Sequence, residues 1–343
     1  MKRPALRWLF QIVVSASLLA LVFFVVDLRS TFSELRRASL GWLVFGLAIT
    51  VLSRFIMAYK WNLLMRAKGM RIRLVEVFRL YYVASFLGLL LPATVGMDFV
   101  RAMFLKREDR PLPDILSSII VERLIGFVML SLVALAGAIG LVGLLLDTDV
   151  PLWTVLGLPA GLLIVALAVI GFSATDRARS AVQALTEWIG ARKRLARSAG
   201  HLQKLYDSYW GYRSHRHTLV VFSALTLVEI VTLMAWNYAG IRAMGIDLSF
   251  ARFVLIIPVI TLLVRLPITV AGLGVVEGAY VFFLSILGVP TDLALAAGLL
   301  VHALSTVAVL PGALVYRLSP RYRSGAKAIA RDRPPGGADP GPI

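Results

Sequence analysis

The sequence predicts an all-α integral membrane protein with about six transmembrane helices and two opposed re-entrant, broken helical hairpins. Three observations carry this reading. The 343-residue chain is 59% hydrophobic with a mean hydropathy of +0.83, well above the usage of soluble domains. Six apolar runs are long enough to cross a hydrocarbon core of ~30 Å, which takes ~20 helical residues. Two further apolar runs are each interrupted by a similar motif. It reads Leu91-Pro92-Ala93-Thr94-Val95-Gly96 in the first and Leu266-Pro267-Ile268-Thr269-Val270-Ala271-Gly272 in the second.

The elements follow in order. The run 9–26 has basic flanks like a signal peptide. It is long for such a segment and no small-residue cleavage site follows, so it is expected to be a retained span. Runs 40–59, 115–146, 152–172, 219–240 and 293–316 are the other five expected spans. The interrupted runs are 75–105 and 253–288. Proline removes a backbone N–H and glycine releases helical geometry, so each interruption leaves arms of roughly 10–16 residues, short for a full crossing. Such a break inside a bilayer needs protein or a water-filled cavity to satisfy the freed backbone groups. Two breaks at matching places in two halves point to a transport site near the midplane of an inverted repeat. Between the halves, residues 173–218 form the longest loop. Leu195, Ala199, Leu202, Tyr206 and Tyr209 recur at helical spacing there, which predicts an amphipathic helix lying on the inner leaflet. Residues 1–320 thus form one polytopic membrane domain. Residues 321–343 are a basic, Pro/Gly-rich tail expected to be disordered. Trp8, Trp42 and Trp153 fall near expected interfaces and read as an aromatic belt.

Charge tests the topology. With the N-terminus in the cytoplasm and each hairpin returning to its own side, inside segments hold 27 Lys and Arg and outside segments hold 5. Four of the 36 remain within apolar runs: Arg54, Arg101, Arg123 and Arg265. Both termini and the 173–218 loop are therefore expected in the cytoplasm. The net charge of +17 is assigned to loops facing anionic lipid rather than to nucleic acid. The chain has no Cys and four scattered His, which leaves no disulfide framework and no convincing metal-ligand set. It carries no Walker loop, G-x-S-x-G or H-E-x-x-H. No cofactor is expected.

Charges at the centre of a span cost ~2.5–3.5 kcal/mol each on insertion scales, so their default reading is functional. Asp98 and Glu277 lie early in the helices that follow the breaks, where they complement the helix dipole. Arg265 ends a half-helix, where a cation is favoured. Capping and ligand binding are both open for these three. Arg101 occupies a first turn, where a cation is unfavourable unless Asp98 at i−3 or a bound anion offsets it. Arg101 and Arg265 are the candidates for holding a lipid phosphate. Glu122 and Arg123 are adjacent and face apart. Candidate partners are Arg101 for Glu122, and Asp98 or Glu277 for Arg123. Glu229 has no opposite charge at i±3 or i±4, so it is either a neutral carboxyl or a proton-coupling site. Arg54 and Arg79 are expected to snorkel to the inner interface. Pro92, Gly96, Pro267, Gly272 and Gly274 are the helix-break residues.

Taken in order, Pro92-x-x-x-Gly96-x-Asp98-x-x-Arg101, Glu122-Arg123-x-x-Gly126 and Pro267-x-x-x-x-Gly272-x-Gly274-x-x-Glu277 resemble the flippase-like transmembrane domain of lysylphosphatidylglycerol synthases. The likeness covers roughly residues 10–320. It implies movement of a phospholipid or lipid-linked head group between leaflets, with Asp98, Arg101, Glu122, Arg123, Arg265 and Glu277 contacting it. It also implies membrane lipids as partners: an anionic phospholipid, a hopanoid or a polyprenyl-linked head group. The sequence ends at Ile343, so lysyl transfer from a charged tRNA is not expected. The expected protein is a non-enzymatic, multi-pass component of a bacterial inner membrane. The alternatives are a membrane-embedded head-group transferase and a scaffold for envelope-lipid synthesis enzymes.

Overall fold

The computed structural model describes residues 37–89, 95–106, 109–145, 151–192, 195–265, 272–320 and 322. The expected span 9–26, the breaks at Pro92 and Pro267, and the tail beyond 322 lie outside the described residues. Among those described, all regular structure is helical. Twelve α-helices run in the order α1 (Leu40–Ala67), α2 (Leu74–Leu89), α3 (Val95–Leu105), α4 (Leu112–Leu145), α5 (Leu152–Ser173), α6 (Asp176–Gly190), α7 (Ala196–Trp210), α8 (Arg216–Ala243), α9 (Phe250–Arg265), α10 (Val275–Ile286), α11 (Thr291–Val307) and α12 (Pro311–Leu318). Five segments are long and apolar enough to cross a membrane: α1, α4, α5, α8 and the α11–α12 pair. They coincide with five of the six expected spans.

The interrupted runs give helix pairs. In the first, α2 and α3 fold back on one another. A Cβ at Gly88 would lie 3.2 Å from the Met97 Cβ, while Arg101 reaches back to Tyr81. Contacts that spread symmetrically from the break define an antiparallel pair. Gly96 sits in the first turn of α3. In the second, α9 packs on α10, and the turn into α10 places Gly272 at φ 80° and Gly274 at φ 81°, a region closed to most side chains.

The two halves share one pattern of contacts. Helices α1 and α8 pack antiparallel against one another. The Ser39 N–H donates to the Ala243 carbonyl at 2.8 Å at one end, and Leu64 packs with Phe222 near the other. The spacing from Pro92 to Pro267 sets the sequence offset between the halves. Gly46 approaches Ala239, where a Cβ would lie 3.3 Å away. Shifting both partners by that offset gives positions 221 and 64, next to the Leu64–Phe222 contact. The hairpins obey the same rule. A Cβ at Gly137 would meet the Leu255 carbonyl oxygen at 2.5 Å, and one at Gly312 would meet the Tyr82 oxygen more closely still. Gly312 follows Gly137 by the same offset. Each half's hairpin thus packs backbone to backbone on the other half's last span. Close approach at small residues suits a bilayer, where burying one apolar side chain against another gains little over lipid. Equivalent helices that are antiparallel are related by a twofold axis perpendicular to both.

Outside this core, residues 173–218 form two helices rather than the single one expected. Thr175 caps α6 by accepting the Ala178 N–H at 3.2 Å. Helix α7 runs back along α6, so that Thr186 bonds Gln203 at 3.0 Å across the antiparallel pair. The pair is tied to the spans. Ser208 bonds Ser117 at 2.7 Å and also Asp114, Tyr212 donates to the Leu64 carbonyl at 3.0 Å, and Lys68 donates to the Ser208 carbonyl. Burial lowers the pKa of the Lys68 ammonium, against the opposing pull of Asp114.

Two expectations are corrected by the length of α1. The helix continues through Ala67, past the expected end at Tyr59. Arg54 therefore sits mid-span, where its Nη1 donates to Ser85 Oγ at 2.8 Å, rather than snorkelling to an interface. Lys60, counted above as a loop charge, is buried. The 27-to-5 split loses one residue from its larger side and keeps its direction.

Candidate functional site: a buried charge network

Helix α3 begins directly after the first break, and its first two turns aim Asp98 and Arg101 at α4. There, adjacent Glu122 and Arg123 project from neighbouring faces. The Arg101 guanidinium is 0% exposed. Its Nη2 donates to Asp98 at 2.6 Å and its Nη1 to Glu122 at 2.8 Å. The Tyr81 hydroxyl accepts from Arg101 and donates to the other Glu122 oxygen at 2.6 Å. Arg123 forks onto Asp98, with Nε at 2.9 Å and Nη2 at 3.0 Å. Two aromatic rings enclose Arg101: its guanidinium carbon lies 4.6 Å from the Trp61 centroid and 4.7 Å from that of Tyr81. Trp61 is fixed in turn by donating to Ser118 Oγ at 3.0 Å.

This geometry decides among the alternatives left open by the sequence. Glu122 pairs with Arg101, and Arg123 pairs with Asp98 rather than Glu277. Arg101 is fully buried with both terminal nitrogens engaged, and only its Nε lacks a partner. Its terminal nitrogens are thus bonded within the protein rather than turned to an open space. The dipole penalty at its first-turn position is offset from within the protein, by Asp98 and Glu122. Arg265 differs. Its guanidinium lies beside Gly126 and 5.9 Å from the Phe127 ring centroid. It is only partly buried, and among the described residues it has no ion pair or hydrogen bond.

Glu229 is not a lone carboxyl. Lys60 forms an ion pair with it across the antiparallel α1–α8 contact and donates to Thr226 Oγ1 at 3.2 Å. Helical spacing on α8 gave no sign of this partner, which belongs to the first described helix of the chain. Glu277 stands apart from the network. One of its oxygens accepts the Gly274 N–H at 2.8 Å and the other meets His302 Nδ1 at 2.8 Å. The carboxylate thereby caps α10, satisfying a backbone donor that the break exposes.

Sequence reasoning missed Tyr81, Trp61, Lys60 and His302. Tyr81 lies in an apolar stretch and looks like core, Trp61 lies between Lys60 and Asn62 where an interfacial aromatic is expected, and His302 is a single polar residue within a span. The site thus has two parts. One is a network of Asp98, Arg101, Glu122, Arg123 and Tyr81, with the separate Lys60–Glu229 pair between α1 and α8. The other is the partly open guanidinium of Arg265. Among the described residues no group of three or more His, Asp or Glu is placed to hold a metal ion.

No curated protein matches the chain. A family model described as the lysylphosphatidylglycerol synthase TM region matches residues 8–312, and the chain belongs to that family of membrane lipid proteins.

Proposed function

We propose that this protein moves an anionic phospholipid, or another lipid-linked anionic head group, between leaflets without altering it covalently. The observation that carries the proposal is charge. Among the described residues the interior holds the linked Asp98–Arg101–Glu122–Arg123 group, the separate Lys60–Glu229 pair and two further guanidinium groups, Arg54 and Arg265, which sets five cations against three carboxylates, with Glu277 bonded apart to His302. Two of those guanidinium groups, Arg54 and Arg265, have no described carboxylate within ion-pairing distance. Each would cost ~2.5–3.5 kcal/mol at the centre of a span. A phosphate offsets that cost and suits the planar guanidinium fork.

In this reading Arg265 and the partly exposed Arg123 receive the head group, and Arg101 holds Asp98 and Glu122 in place behind them. The two helix pairs are re-entrant and enter from opposite faces. The twofold relation between the halves supports this, because an axis perpendicular to α1 and α8 lies in the membrane plane. The acyl tails stay in the bilayer while the head group crosses. The charge split supports cytoplasmic termini, and the reading has the protein in a bacterial inner membrane.

Leaflet exchange of labelled phosphatidylglycerol in proteoliposomes tests the proposal. Arg265→Met is expected to abolish exchange while the fold is kept, and Arg265→Lys to slow it at least tenfold by losing the fork. Wild-type exchange by Arg265→Met refutes the phosphate role. Lipid recovered with an altered mass would show a transferase instead.

A further inference from the structure

A second feature lies away from the charge network, where the α6–α7 pair meets the spans. Three apolar cavities of about 230, 360 and 270 Å³ lie there in a row. All three are lined by Ser173. The first two also share Leu124 and Tyr209, and the last two share Val182, Leu185 and Tyr206. They form one groove with α4 and the end of α5 as its floor and α6–α7 as its wall. Together they fall within the ~300–1,000 Å³ typical of small-molecule sites. The polar groups along the groove satisfy one another. Ser173 Oγ bonds the Tyr209 hydroxyl at 2.6 Å, and Tyr206 donates to the Ser173 carbonyl at 3.0 Å. What remains is an apolar channel at the edge of the membrane domain.

One end of the groove is cationic. Trp210 lines it, and two guanidinium groups stack on that ring: Arg213 at 4.3 Å and Arg179 at 5.7 Å from its centroid. Both arginines are exposed, and among the described residues neither has a carboxylate partner. The surrounding segment 173–218 carries nine Lys and Arg against three Asp and Glu. An apolar channel ending in two unneutralised guanidinium groups matches one chemistry, an acyl chain ending in a phosphodiester. A free phosphate would leave the channel empty, and a zwitterionic lipid would bring a second cation to the arginines.

We propose that this groove holds one anionic phospholipid of the leaflet that α6–α7 faces, with an acyl chain between Leu124 and Tyr206 and its phosphate on Arg179 and Arg213. The site is separate from the transport reading. It borders the Val121–Leu124–Ile125 side of α4, whose residues flank Glu122 and Arg123 in sequence.

The test uses the full chain in detergent, titrated with phosphatidylglycerol brominated in its acyl chains. Bromine quenches nearby tryptophan, and the difference between wild type and Trp210→Phe isolates Trp210. Half-quenching is expected at a lipid fraction at least fivefold lower for phosphatidylglycerol than for phosphatidylcholine with the same chains. Arg179→Ala with Arg213→Ala is expected to reduce that preference below twofold, and the double Lys variant to keep it. Equal quenching of the wild type by both lipids overturns the proposal whatever the variants do. Loss of quenching on adding inorganic phosphate alone overturns it in favour of a free-phosphate site. Arg265→Met is expected to keep the preference, which separates this site from the transport site.

Discussion

The two helix pairs occupy equivalent places and solve the same problem with different chemistry. Gly272 follows Gly96 by one position more than the general offset between the halves, because the second motif holds an extra residue after its proline. In that register Asp98 corresponds to Gly274 and Arg101 to Glu277. The contact between them corresponds as well. Asp98 binds Arg101 at 2.6 Å where the Gly274 N–H binds Glu277 at 2.8 Å. Arg101 also reaches Glu122 at 2.8 Å, whereas Glu277 packs on Gly298, where a Cβ would lie 3.2 Å from the Glu277 Cα. The first half spends these positions on ionic side chains. The second uses backbone and glycine, and leaves its nearest cation, Arg265, open. One scaffold thus yields a rigid charged wall on one side and a receptive group on the other.

The largest effect is expected from breaking the charged wall. Glu122→Ala leaves buried Arg101 with one carboxylate partner, and removing one member of a buried pair costs ~3–5 kcal/mol. Thermal unfolding in detergent measures it, and a loss below ~1 kcal/mol would mean that the network is solvated. Next come the glycines where the halves meet. Gly312→Ala and Gly137→Ala each place a Cβ within 2.5 Å of a backbone oxygen. Overpacking of this kind costs ~1–3 kcal/mol or more. Gly143→Ala, with nothing within 4 Å, is the matched control and should be neutral. Unequal losses at Gly312 and Gly137 would weaken the twofold relation.

The second hairpin should respond less. His302→Ala removes one charge-assisted hydrogen bond to Glu277 and leaves the Gly274 cap in place, for ~1.5–3 kcal/mol. A loss as large as that of Glu122→Ala would contradict the division between the halves. No loss of stability is expected from Arg265→Met, which removes an unpaired charge costing up to ~2.5–3.5 kcal/mol, with the complete loss of lipid exchange described above. A strongly destabilised Arg265→Met would make that residue a structural brace.

Much of this was legible in the sequence, for local reasons. Apolar length located five spans, and the i,i+3 spacing of Asp98 and Arg101 foretold their bond. Glu122 with Arg101 followed from the shortage of other charges. The rest depended on register between distant helices. Glu229 looked isolated because its partner, Lys60, sits on an antiparallel helix whose alignment no local pattern specifies. Arg54 looked interfacial because Lys60 and Asn62 mimic the end of a span. Both are buried and bonded instead, Lys60 to Thr226 at 3.2 Å and Asn62 to the Ile72 carbonyl at 3.2 Å. Tyr81 carried no signal, since an aromatic in an apolar run is usually core, and Trp61, between Lys60 and Asn62, looked like an interfacial aromatic. Arg54 and Glu229 are separated by the same offset as the two prolines, and that correspondence was visible only once the α1–α8 contact was known.

The pairing of α1 with α8 also dictates an order of events at the ribosome. Lys60 is made long before Glu229, in the first described helix rather than the eighth. At a synthesis rate of ~5–20 residues per second the delay is roughly 10–30 s. Throughout that interval the first half rests in the bilayer with an ammonium that has not yet met its carboxylate. Its hairpin also lacks the Gly312 segment that closes over Tyr82. Nascent chains halted before Glu229 are therefore expected to be held by the insertion machinery and cleared by membrane proteases, while chains halted after Leu318 escape both.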